Sequence, residues 1–130
     1  MTDERPPALD ADAVRDFVIA GHGDLDGVRA ALDREPGLLN ATWDWGAGDF
    51  ETALGGAAHM GRRDIAEFLL QRGARLDVFA AAMLGMEDVV RAVLSADPAA
   101  RDSRGPHGIP LVEHARAGGA DEVVALLEGS

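Results

Sequence analysis

Four histidines and one acid-rich stretch carry most of the side chains in this chain that could do chemistry. The histidines are His22, His59, His107 and His114. The stretch is Asn40 to Gly61, NATWDWGAGDFETALGGAAHMG, which holds both tryptophans, Trp43 and Trp45, with Asp49 and Glu51 close behind. Imidazoles and carboxylates are the groups that exchange protons near neutral pH, so His59, His107, Asp49 and Glu51 are the candidates for general acid–base work. Indoles serve recognition better than catalysis, because they offer a large rigid surface and one N–H.

Other chemistries find no support in the sequence. There is no cysteine, which removes disulfides, thiolate nucleophiles and cysteine-ligated zinc. All 12 basic residues are arginine, so a phosphate-binding loop ending in lysine is absent. Ser95 and Ser103 lack the strand–turn–helix context of an activated serine. The segment HGDLDGVRAALD, residues 22–33, imitates a calcium loop through Asp24, Asp26 and Asp33. However, His22 stands where the first aspartate should be, and Val28 to Leu32 read as a helix face. GHGDLDG has the wrong glycine spacing for a dinucleotide fingerprint, and no strand precedes it. No two histidines form an H-E-x-x-H pair. Neither a metal nor a cofactor is therefore expected, and each histidine reads first as a hydrogen-bonded structural residue.

The elements that must position these groups come from a repeat. Residues 57–70 read AAHMGRRDIAEFLL, residues 81–94 AAMLGMEDVVRAVL, residues 19–32 IAGHGDLDGVRAAL and residues 114–127 HARAGGADEVVALL. Each has a small-residue helix, a glycine turn, an acidic first turn and then paired aliphatics. Glycine allows the first helix to stop in the left-handed region. Asp26, Asp64, Asp88 and Asp121 suit the positive end of the second helix. Ile65, Phe68 and Leu69 share one helix face, as do Val123, Leu126 and Leu127. The pattern predicts helices near 11–21, 25–34, 53–60, 63–72, 77–84, 87–95, 110–117 and 120–128. One such pair cannot bury its apolar face alone, but a stack can.

These motifs resemble the ankyrin repeat family. Thr52-Ala53-Leu54-Gly55-Gly56-Ala57-Ala58-His59-Met60-Gly61 follows the family core, with Ala for Pro and Gly for His, and Leu69-Leu70-Gln71-Arg72-Gly73-Ala74 completes the unit. Ile109-Pro110-Leu111 supplies the Pro-Leu pair of the last unit. The resemblance implies an all-α solenoid of about four stacked helix pairs. It would form a single domain over residues 11–130, behind a flexible tail at residues 1–10. Glycine spacings depart from the usual unit of about 33 residues. The first connection is long, and the second, GARLDVFAAAMLG, leaves no room for a β-hairpin finger. Two long fingers are thus expected, at residues 40–51 and 100–111.

In such a family the fingers and the exposed side of each first helix form the binding face. Carried onto this chain, that face comprises Trp43, Trp45, Asp49, Glu51, His59, Met60, Met83, Leu84 and His107. The tryptophans either anchor a partner or fold over the gap left by the absent finger. The leading expectation is a non-enzymatic module that binds a protein partner. The alternative is a small-molecule binder or an unorthodox enzyme, with an apolar cleft under the 40–51 loop and His, Asp and Glu as acid–base groups. Self-association as a homodimer through the last helix, residues 121–128, is a third expectation. The formal charge of −11 argues against nucleic acid. No apolar run reaches membrane-spanning length, and MTDERPPALD has no apolar core of a signal peptide, so a cytoplasmic, non-membrane protein is expected.

Overall fold

A computed structural model describes residues 5–129. Of the expected tail at residues 1–10, residues 1–4 lie outside the described residues. Residues 6–10 run without regular structure until Asp10 caps the first helix through its carboxylate and the Ala13 N–H. Eight helices follow in four antiparallel pairs: α1 (Ala11–Gly21) and α2 (Leu25–Arg34), α3 (Ala53–His59) and α4 (Arg63–Gln71), α5 (Val78–Met83) and α6 (Glu87–Ala96), α7 (Leu111–Ala117) and α8 (Asp121–Glu128). The turn glycines Gly61, Gly85 and Gly119 all have φ between 65° and 76°. In the last pair Gly119 takes this conformation, while the preceding Gly118 has φ of −88°.

The first helices of the pairs pack in a row, α1 on α3, α3 on α5 and α5 on α7. Small side chains make this approach possible. Ala53, Ala57, Ala58, Ala80, Ala81, Ala82 and Ala115 are all fully buried. At Gly118 even a methyl group would overlap the Met83 carbonyl, and at Gly61 it would overlap that of Ala117. The second helices place Val28, Leu32, Ile65, Leu69, Val90, Val123 and Leu127 against this row. Arginines tie successive turns together. Arg62 donates to the Gly23 carbonyl at 2.9 Å, and Arg63 to that of Leu84 at 3.1 Å.

Two connections are long. Between α2 and α3, strands β1 (Thr42–Asp44) and β2 (Phe50–Thr52) form an antiparallel hairpin in which Trp43 faces Glu51. Its tip is Gly46-Ala47-Gly48, with φ of 136°, 54° and 84°. Glycine is needed at two of these three positions because side chains resist that region. Asp44 closes the tip by accepting the N–H groups of Gly46 and Gly48 at 2.8 and 3.1 Å. Between α6 and α7 there are 3-10 turns at Pro98–Asp102 and Pro106–Gly108, and a single bridge, Arg104 to Pro110, closes the loop around the second. Between α4 and α5 there is no strand, as the short spacing required.

Met83 and Leu84 do not line an open face. Met83 is fully buried and Leu84 is 8% exposed, both packed in the core between the rows of helices. The short second connection explains this, because no finger holds the α5 turn away from its neighbours. Met60 is 54% exposed. On α8, Val123 and Leu127 are buried, while Val124 and Leu126 are half-buried against the second core cluster. No large apolar side chain is exposed there. No helix among the described residues is long and apolar enough to cross a membrane.

Candidate functional site

Glu51 is the centre of the site. It lies on β2, and strand alternation turns its side chain inward, with Trp43, while Phe50 and Thr52 turn away. It is only 1% exposed. A buried carboxylate must be paired, since an isolated charge in the interior costs several kcal/mol or about that order. Four side chains meet it. Trp45 Nε1 donates to Oε1 at 2.9 Å, and His59 Nε2 lies 3.0 Å from Oε2. His22 Nε2 and His107 Nε2 lie 3.1 and 3.2 Å from Oε1.

Each imidazole comes from a different place in the fold. His22 caps the C-terminus of α1, and His59 ends α3. The two helices pack side by side, which brings the rings to 4.8 Å in an edge-on arrangement. His107 is held on the second long connection with φ of 62°. Asp49 fixes it there, accepting its backbone N–H at 2.8 Å and facing its Nδ1 at 2.9 Å. The two fingers are therefore joined at this point, by Asp49 and Glu51 on one and His107 on the other.

Room for the cluster is made inside α3. A methyl group on Gly56 would lie 2.6 Å from His22 Nδ1, and one on Gly55 would lie 3.5 Å from both Glu51 and Pro106. Glycine inside a helix costs about 1 kcal/mol relative to alanine. Gly56 is thus an unfavourable local choice that the packing of His22 explains, whereas a methyl group on Gly55 would meet its neighbours at ordinary contact distance.

The electrostatics follow from the contacts. Burial alone would raise the Glu51 carboxyl. The hydrogen bonds from His22, His59 and Trp45 outweigh burial and hold it well below the usual range, so it is ionised at neutral pH. His22 is raised by its bond to Glu51 against the opposing effect of burial, helped by the Val18 carbonyl. His114, which lies apart from the cluster, is fully buried beside Phe79. Desolvation lowers its pKa, Nδ1 donates to the Pro110 carbonyl at 3.0 Å, and Nε2 has no protein partner.

Of the residues expected on the binding face, Asp49, Glu51, His59, His107 and Trp45 come together. Trp45 is 38% exposed, but its N–H is committed to Glu51. Trp43 is half-buried and packs on the core. Met60 is in the solvent, and Met83 and Leu84 are in the core. His22 was not expected in the set. It read as a hydrogen-bonded structural residue, although the repeat alignment puts Gly21 and His22 in the first unit's concave-facing places, and Gly56 is a second signal, a glycine whose space the His22 ring fills. Chemically, both ring nitrogens of His107 are engaged by carboxylates, which leaves it no free lone pair for a general base. The donor atoms of His22, Glu51, His59 and His107 lie within 4.8 Å of one another, and these four residues could hold a metal ion.

Compared with protein-family models, with curated proteins and with solved structures, the chain has no match in any of the three.

Proposed function

We propose that this chain is a small ankyrin-type solenoid that binds a segment of a protein partner at its finger end. Four helix pairs, three of them with the same glycine turn, first helices packed in a row and a hairpin ahead of the second pair all support that reading. The observation that carries it is a cleft between the two fingers. It has a volume of about 370 Å³, with Phe50, Phe79 and Pro106 as apolar walls and Asp77 and Arg104 at the edges. It lies where the connection between α4 and α5 is too short to supply a finger of its own. Phe50 is 59% exposed there. Exposed aromatic groups beside a groove are typical anchors for recognition. The net charge of −11 favours a basic partner segment through complementarity and faster encounter.

A photo-crosslinking residue at Phe50 tests this in the source cell, with one at Ala30, exposed on α2 and not among the residues that line the cleft, as the control. The expected result is one discrete adduct from Phe50, lost with Phe79→Asp and absent from Ala30. Equal labelling from both positions, or none from Phe50, would refute it.

A second reading is a small-molecule site, favoured by one observation, the imidazole–carboxylate cluster at the edge of the same cleft. Asp49 and His107 would then act on a ligand in the cleft, after release of His107 Nε2 from Glu51.

A further inference from the structure

The hydrogen-bond inventory of the cluster does not close with protein groups alone. Val18 offers only a carbonyl to His22 Nδ1, 2.8 Å away, so that nitrogen carries a proton. In a neutral His22 the Nε2 lone pair would then point at Glu51 Oε1, lone pair against lone pair. The same holds for His107, whose Nδ1 faces the Asp49 carboxylate while Nε2 faces Glu51. A single cation shared by the rings and Glu51 would satisfy these nitrogens together, and the ring centroids of His22 and His107 lie 6.4 Å apart with His59 between them at 4.8 and 5.4 Å. Oε1 of Glu51 would also receive three donors, from Trp45, His22 and His107, although it has two lone pairs.

We infer that His22, His59, His107 and Glu51 form a binding site for one divalent transition-metal ion, best fitted by zinc. Three imidazole nitrogens and a carboxylate oxygen are the donors that zinc takes in four-coordinate sites. With bonds of about 2.0–2.1 Å, tetrahedral ligand atoms stand about 3.4 Å apart. The present spread of up to 4.8 Å needs the ligand atoms to draw together by about an ångström around the ion. The ion takes the place of the protons on Nε2, so the rings become neutral and the charge moves to the centre. The outer contacts are already those of a metal site. Val18 fixes the His22 tautomer, Asp49 fixes that of His107, and Trp45 orients the Glu51 carboxylate, as supporting hydrogen bonds do around metal ligands. The bound ion joins α1, α3 and both long connections, and so locks the fingers on either side of the cleft. The site does not depend on the partner proposed above, and either can fail without the other.

The test uses the full, untagged chain after removal of metals with a chelator. Cobalt(II) is titrated in and followed by its visible absorption, and zinc(II) is then added to displace it. The expected result is one equivalent bound at micromolar concentration or tighter, with the intense bands of a low-coordinate nitrogen–oxygen site, and a raised melting temperature. His107→Asn should lose at least about 100-fold in affinity, and Asp49→Asn, which acts only by positioning His107, about 10-fold. His107 lies on the surface, so its variant keeps the core intact, and circular dichroism checks that it does. Failure of the folded wild-type chain to bind stoichiometrically, or wild-type affinity in folded His107→Asn, would overturn the inference.

Discussion

Glu51→Gln removes one charge from the centre of the site with almost no change in shape. In the metal-free protein Glu51 accepts from Trp45 and meets His59, His22 and His107 at 2.9 to 3.2 Å. A hydrogen bond to a charged group contributes about 1.5–3 kcal/mol net, and a neutral one about 0.5–1.5 kcal/mol. Glutamine keeps an acceptor for Trp45 but weakens the three imidazole contacts, by about 1 kcal/mol each. The expected loss is therefore about 3 kcal/mol, or roughly 10 °C in melting temperature for a domain of this size. Urea unfolding in chelator at constant pH, followed by tryptophan fluorescence, measures it. Glu67→Gln is the control, because Glu67 pairs with Arg63 on the surface, both about half exposed. It should change stability by less than about 0.5 kcal/mol. If Glu51→Gln falls in the same range as the control, or stabilises, Glu51 is not the hub described above.

Three further outcomes follow from the packing and the caps. His114 is neutral in the folded state because burial lowers its pKa, while the unfolded chain takes up a proton near its normal value of about 6.5. Its contribution is fully present above that pH and is lost as pH falls below it. The stability of wild type relative to His114→Met should thus drop by about 1 kcal/mol between pH 7.5 and 5.5, and a flat or opposite trend in paired urea titrations would reject the assignment. Gly118→Ala places a methyl group on the Met83 carbonyl and should cost about 1–3 kcal/mol; a neutral result in thermal melts would show that α5 and α7 are not so close. Thr52 caps α3 by accepting the Gly55 N–H at 3.0 Å, so Thr52→Ala should cost about 1 kcal/mol, with Thr52→Ser close to wild type.

The helices were legible because each carries its own signals. Asp10, Asp24, Thr52 and Asp77 cap helices from within the sequence, and Gly61 and Gly85 end them with positive φ. Those signals are local, and helix bounds fell within a residue or so of the reading. The distribution of Met60, Met83 and Leu84 was less legible. A matching place in the sequence pattern does not fix exposure: Met60 follows α3 in the solvent, whereas Met83 and Leu84 pack in the core. The cluster was hardest to read, because its members are spread over residues 22, 51, 59 and 107. Their meeting depends on the side-by-side packing of α1 and α3 and on the joining of two fingers. None of that shows as a spacing, and a search for paired histidines along one helix passes over it. Gly56, a glycine where a helix prefers alanine, marked the place where the His22 ring fits.

Long-range proton–nitrogen NMR spectra of the histidine rings test the account most directly, because they report which ring nitrogen carries the proton. In the metal-free protein the Nε2 of His22, His59 and His107, each facing a Glu51 oxygen, should carry the proton of that hydrogen bond. One equivalent of zinc should convert all three to rings protonated on Nδ1 with Nε2 bound to metal, and leave His114 unchanged. Spectra in which the three rings are ordinary exposed neutral imidazoles, indifferent to zinc, would contradict it.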